Sequence, residues 1–326
     1  MKIVLFGMGY YNYTHSFKYA LEKLGHSVLT IVNEHYKPNS KNFLIKKKEM
    51  IEYNSDIFIN FCGNYDYNLI DSNFLKQISG KKVLIFADAV KFVGNVEQNY
   101  KLYDKVVVFE PKDVNYLKEK YGINAALSEV CVDTTIYCND DLLTEKKYDL
   151  SFVGVFTKER GNFFEEIAKY AYDRNLKMVW YGRFWREKYW WQKLFGRKKF
   201  ALKYPYISKF CRNIPIGPED VAVLYKQSKI CLNKHVARHE GMGYRVFEIM
   251  GSNNFQLCDK RIQAENYGLS NGSNIVFYES AKDCVNKIEY YLKNDELREK
   301  IARKGTELVR DRYTSEKVMQ RLIDSL

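Results

Sequence analysis

Twice along this chain, short β-branched runs alternate with helical patterns, and that alternation leaves few folds open. Residues 2–6, 27–32, 56–61, 83–87 and 105–109 read as strands, with helices predicted over 15–24 and 112–121. A polar stretch without periodicity, 133–147, interrupts the pattern and reads as an interdomain linker. Beyond it, strands are predicted over 148–153, 177–181, 230–233, 255–258 and 275–277. Helices are predicted over 161–174, 218–228, 243–250, 281–293, 295–309 and 314–326. Such alternation builds parallel, doubly wound sheets. A chain of 326 residues is too long for one ordinary core and suits two domains of roughly 150. The expectation is an α/β protein with Rossmann-like domains over 1–140 and 148–309 and a closing helix over 310–326.

Composition narrows the class. No run of about 18 apolar residues exists to span a membrane. The apolar stretch in Met-Lys-Ile-Val-Leu-Phe-Gly is too short for a signal peptide, so a cytoplasmic protein is expected. Seven cysteines (Cys62, Cys131, Cys138, Cys211, Cys231, Cys258 and Cys284) show no Cys-x-x-Cys spacing. That argues for reduced thiols rather than a zinc site or disulfide framework.

Charge is unevenly spread. Residues 1–147 hold 19 lysines, no arginine and 18 acids, whereas 148–326 hold 33 basic residues against 22 acidic ones. Every arginine lies at or beyond Arg160. Guanidinium suits bidentate phosphate recognition better than ammonium does. The imbalance fits a second half that handles an anionic ligand or surface, or simple compositional drift.

The densest chemistry is in His239-Glu240-Gly241-Met242-Gly243-Tyr244-Arg245-Val246-Phe247-Glu248. A glycine turn opening a helix offers backbone N–H groups and a positive dipole end to a diphosphate. Carboxylates accept paired hydrogen bonds from sugar or ribose hydroxyls. Helical spacing puts Arg245 and Glu248 on one face, with Val246 and Ile249 or Met250 turned to the core. The plainer alternative is a capped helix with solvated charges.

This stretch resembles the E-x7-E donor motif of retaining GT-B glycosyltransferases. Together with Ile230-Cys231-Leu232-Asn233 and Leu257-Cys258-Asp259 it is similar to CgeB-like, spore-maturation-type members of that group. Phe152-Val153-Gly154 with Lys158 and Arg160, and Tyr181-Gly182 with Trp185, extend the likeness through the second half; the first half matches thinly. The resemblance implies a GT-B fold. In it, two Rossmann-like doubly wound domains face a central cleft and the C-terminal helix crosses back to the first. It implies Glu248 on the nucleotide ribose, Glu240 on the donor sugar, and Arg245 on the diphosphate or buttressing Glu248.

Further candidates lie at strand ends, where open α/β sheets bind ligands. Lys158 and Arg160 are placed to neutralise a leaving diphosphate, Asn233, Lys234 and His235 are weaker candidates of the same kind, and Gly241 and Gly243 allow close backbone approach. In the first domain Gly7-Met8-Gly9-Tyr10 lacks the third glycine of a dinucleotide fingerprint, and Glu34 is the nearest thing to its acid. The GT-B resemblance implies instead that this loop, Gly9 included, lines the acceptor cleft. His15 or Asp88 would serve as general base in an inverting enzyme.

Residues 180–210 carry all four tryptophans among nine Lys and Arg, with Glu187 the single acid. That mixture suits an anionic membrane interface, a single-stranded nucleic acid, or an ordinary packed insertion. The combined expectation is a retaining transferase moving a sugar from a nucleotide-diphosphate sugar to a hydroxyl of a cell-surface glycan or lipid-linked precursor. No metal or further cofactor is expected and no nucleic acid partner, with a place at the inner face of the membrane. An inverting enzyme, or a basic binding protein on the same fold, are the rivals.

Overall fold

The computed structural model of the protein describes residues 1–8, 13–33, 36–62, 69–90, 99–139, 144–185, 188–237 and 239–326, and for 190–194 the backbone alone. Gly9 and Glu34 therefore lie outside the described residues. The chain divides into two compact units: Met1–Asp133 with His239–Gly241 and Tyr313–Leu326, and Thr134–Arg238 with Met242–Arg312.

The first unit is built on strands β1 (Lys2–Met8), β2 (Ser27–Asn33), β3 (Ile57–Cys62), β4 (Lys81–Phe86), β5 (Lys105–Val108) and β6 (Ala126–Leu127). They pair in parallel in the order β2-β1-β3-β4-β5-β6. From Ile3 on, β1 is buried, and so is all of β3, whose one polar residue, Asn60, bonds the Tyr103 hydroxyl, as parallel sheets covered by helices require. Helices α1 (Tyr13–Lys23), α2 (Lys41–Glu52), α3 (Ser72–Gln77) and α4 (Pro111–Tyr121) cover them. Gly7 is needed where α1 meets the sheet, because a Cβ there would fall 2.3 Å from Thr14 Oγ1.

The second unit repeats the plan. Its strands are β7 (Tyr148–Val153), β8 (Met178–Tyr181), β9 (Cys211–Arg212), β10 (Ser228–Asn233), β11 (Gln256–Asp259) and β12 (Val276–Tyr278). The parallel order is β12-β11-β10-β7-β8-β9. Around it stand α5 (Lys158–Asp173), α6 (Trp190–Lys203), α7 (Ile207–Phe210), α8 (Pro218–Lys226), α9 (Tyr244–Gly251), α10 (Ala281–Leu292) and α11 (Asp295–Leu308). The last helix, α12 (Ser315–Asp324), belongs to the first unit. Thr314 caps it, Val132 pairs with Thr314, and Lys23 of α1 reaches Glu316 at 2.9 Å.

Two local differences from the sequence reading have clear causes. Helices α2 and α3 are missing from the reading because their apolar faces are narrow: in α2 only Phe43 and Met50 are buried. The stretch read as linker is partly built into the second unit. Tyr137 is buried 6.5 Å from the Tyr225 ring, and the Lys146 ammonium donates to Ser228 O at 2.9 Å, its pKa lowered chiefly by burial. Among the described residues no helix is long and apolar enough to cross a membrane.

Candidate active site

The order of the second sheet reverses direction between β7 and β10, and the carboxyl ends of those strands mark the ligand position of an open α/β sheet. One side chain joins the two ends. Arg160, in the first turn of α5, donates from Nη1 to Val155 O at 2.9 Å and from Nε to Lys234 O at 3.0 Å; its Nη2 also meets Lys234 O. Thr157 caps α5 and fixes where this arginine starts, accepting from Arg160 N at 3.2 Å. Burial lowers the Arg160 pKa to about 10, with the positive charge of Arg245 adding to the effect. Lys158, two residues before Arg160, is exposed.

The loop after β10 is braced by a histidine. His235 N and Nδ1 both meet Asp259 Oδ1, each at 2.8 Å, and Gly243 N–H donates to Nε2 at 3.2 Å. An accepting Nε2 assigns the proton to Nδ1, directed at the carboxylate. Burial pushes the Asp259 carboxyl up, but the His235 bonds and Arg261 outweigh it and hold it down at about 2. His235, Cys258 and Asp259 have donor atoms within 4.8 Å of one another. Both imidazole nitrogens are engaged, and burial lifts the Cys258 thiol well above its usual range. The three read as a hydrogen-bonded brace.

Helix α9 starts at Tyr244 with Gly243 as its N-cap and no side-chain cap. Arg245 Nη1 donates to the Tyr225 hydroxyl at 2.9 Å and lies 3.8 Å from Glu248 Oε2. Burial opposes the Arg245 charge, but Tyr225 and Glu248 together hold it protonated above the usual range. The Glu248 side chain is 10% exposed and that of Arg245 36%. A carboxylate this enclosed, with a guanidinium at its flank, is equipped to accept from a diol while the cation faces an anion.

Several sequence expectations change at this point. Gly243 does not present its N–H to an incoming phosphate, because His235 takes it; a Cβ there would sit 3.3 Å from the imidazole. Gly241 donates to Glu110 Oε2 at 3.2 Å, and a Cβ on it would come 2.8 Å from Phe109 O, so the close approach it permits is to protein backbone. Arg160 is committed to two carbonyls rather than held out as an arm. Asn233 is buried at 5%, its amide turned 3.4 Å from Gln256 Oε1 and its carbonyl accepting from Tyr278 OH at 2.7 Å.

The first half of the motif is held by a residue outside the predicted candidates. Glu110, fully buried at the start of α4, accepts from Glu240 N at 2.9 Å and Gly241 N, and meets His239 Nδ1 at 2.5 Å. Burial raises its pKa, yet these bonds outweigh that and lower it. Glu240 itself is 58% exposed, its carboxylate 3.4 Å from Lys112 Nζ. His15 is exposed on α1, and Asp88 is half-buried beyond the end of β4.

The profile of the glycosyl transferase-like family matches residues 160–324, just over half of the chain. The chain belongs to the glycosyl transferase-like family. Solved glycosyltransferases share its fold over nearly their whole length. Sucrose-phosphate synthase from Thermosynechococcus elongatus is 14% identical with a TM-score of 0.65, covering 100% of this chain and 98% of its own. A glycosyltransferase from Rickettsia africae is 15% identical at TM-score 0.66, covering 99% and 97%. Anabaena HepE, solved with UDP and glucose, is 11% identical at TM-score 0.65, covering 100% and 99%. No curated protein matches the sequence. At these identities the structural likeness speaks for the GT-B fold, and the matched family makes this glycosyltransferase an enzyme of sugar transfer.

Proposed function

We propose that this glycosyltransferase takes a nucleotide-diphosphate sugar as donor and passes the sugar, with retention, to a hydroxyl of a cell-surface glycan or its lipid-linked precursor. One observation carries the donor reading. Arg245 stands in the first turn of α9 with its guanidinium 3.8 Å from the enclosed Glu248 carboxylate, a cation and an acceptor side by side. Such a pair can meet a phosphate and a sugar diol together. Glu248 would take the ribose hydroxyls, Arg245 and Lys158 the diphosphate, and Arg160 would position both loops and add its field. The departing diphosphate, so held, is the group that accepts the acceptor's proton in the retaining reading. The Asn233, Arg245–Glu248 and Asp259 positions support a CgeB-like member, and HepE's UDP makes a uridine nucleotide the first to try.

The test is a thermal-shift screen with UDP, GDP, ADP, CMP and dTDP on the wild type and on Glu248→Ala. Ligand at about 100 times its dissociation constant stabilises by roughly 2.7 kcal/mol. One nucleotide is expected to shift the wild type, with the shift and transferase activity lost in the variant. A shift that survives in Glu248→Ala would remove the ribose role; no shift with any nucleotide would remove the donor site.

A further inference from the structure

Helix α6 has two unlike faces. The inner one is built into the core of the second unit: Phe200 and Tyr204 are buried, and the Phe200 ring lies 5.1 Å from Phe156 and 5.4 Å from Trp185. A Cβ on Gly196 would come 3.0 Å from the Trp185 ring, so the helix sits tight on that core. The outer face carries Phe195, Lys198, Lys199 and Leu202, whose spacing by three, four and seven sets them in one stripe. Phe195 is 60% and Leu202 86% exposed; Arg197 and Lys203, elsewhere on the helix, are exposed as well.

Single exposed apolar residues need no explanation; a paired stripe among uncompensated cations does. Among the described residues none of Lys188, Arg197, Lys198, Lys199, Lys203 and Lys209 pairs with an acid. Helix α2 shows the contrast. It too exposes apolar residues, Leu44 and Ile45, among lysines. There, however, Lys46 meets Glu49 at 2.7 Å, Lys48 meets Glu52 at 3.5 Å, and Lys47 is held by Asp71. Three of the four α2 lysines are paired with an acid, whereas none of the described α6 cations is.

We propose that the outer face of α6 docks the enzyme on an anionic lipid surface, with Phe195 and Leu202 entering the acyl boundary and the surrounding cations meeting headgroup phosphates. An in-plane helix of this make-up is held by buried apolar area together with attraction to anionic lipid. A second copy of the chain is a poor occupant, since like-charged faces repel. A nucleic acid is a poor one too, because the described stripe offers an aliphatic side chain and one ring rather than a series of stacking rings. The inference goes beyond the donor-site reading and stands without it.

Vesicle flotation tests it, using phosphatidylcholine alone and phosphatidylcholine mixed with phosphatidylglycerol. The wild type is expected to float with the anionic vesicles only, and less so as salt rises. Lys198→Glu with Lys199→Glu should lower that partition by about tenfold or more, and Phe195→Ser with Leu202→Ser should lower it at every salt concentration. Leu44→Ser with Ile45→Ser on α2 should leave it unchanged. All of these positions are exposed or half-buried on helix surfaces, so melting temperatures should stay near the wild type and separate loss of docking from loss of fold. The proposal is overturned if the wild type does not float, if it floats equally with neutral vesicles, or if the α6 variants float as the wild type does. Binding to single-stranded oligonucleotide that these variants lose, without vesicle binding, would overturn it in favour of nucleic acid.

Discussion

The carboxyl edge of the second sheet is tied together by its own residues, whereas the first unit's clearest polar clamp grips a segment from far along the chain. Arg160 joins the loops after β7 and β10, and His235 joins the β10 loop to Asp259 and to the start of α9; all of these belong to one unit. Glu110, by contrast, spends its two oxygens on His239, Glu240 and Gly241, some 130 positions later. One continuous motif is therefore fixed by two separate devices. Residues 239–241 answer to a carboxylate of the first unit and residues 243–248 to a histidine of the second. On the proposed function, nucleotide would be held where the structure is self-braced, while the segment around Glu240 is set by Glu110.

Breaking the Arg160 pin should cost most. Arg160→Ala removes a buried cation and leaves the Val155 and Lys234 carbonyls without their donor, which should cost roughly 3 kcal/mol. Urea denaturation should show it, and the nucleotide-dependent thermal shift should vanish as well. A fully stable variant would mean the two loops do not need this pin.

Glu110→Ala comes next, with an expected loss between about 2 and 3 kcal/mol from three bonds to one buried carboxylate. It also sharpens the comparison. Turnover should fall while the nucleotide-induced shift persists, because the residues assigned to nucleotide lie in the other unit. Loss of both together would erase the division.

Asp259→Asn tests the second brace through pH. A folded pKa of about 2 against an ordinary 3.8 is worth about 2 kcal/mol. Since the folded value is the lower one, that stability is fully present above the ordinary carboxylate range and is lost as pH falls toward 2. The variant should be less stable than the wild type at neutral pH and the gap should close in acid; a gap independent of pH would assign the loss to packing. The smallest effect is expected from His15→Ala. Exposed on α1, it should change stability by less than about 0.5 kcal/mol and leave turnover within a few-fold. A large loss of turnover with nucleotide binding intact would instead favour an inverting enzyme.

Much of the fold is legible in the sequence because sheet periodicity and helix periodicity are local signals. The two α/β runs and the helix carrying Arg245 and Glu248 follow from residues within a few positions of one another. The site was less legible. Arg245 and Glu248 share a face because helix geometry requires it. Asn233, by contrast, reads as a strand-end ligand until Gln256 and Tyr278 are seen to occupy it. Gly241 and Gly243 read as phosphate-binding turns until Glu110 and His235 are seen to take their N–H groups. The surface of α6 is intermediate: composition shows its charge, and only neighbours show that, among the described residues, no acid pairs with it.

By itself, the sequence determined two α/β runs, a basic second half, and a motif pairing carboxylates with arginine on a helix. These rest on periodicity and composition, which act over short stretches of chain. The tertiary structure decided which donors and acceptors are already spent. That depends on strand order, which brings Lys234 to Arg160 and Asp259 to His235 across dozens of residues, and folding together of residues so far apart sets hydrogen-bond partners that no local pattern encodes.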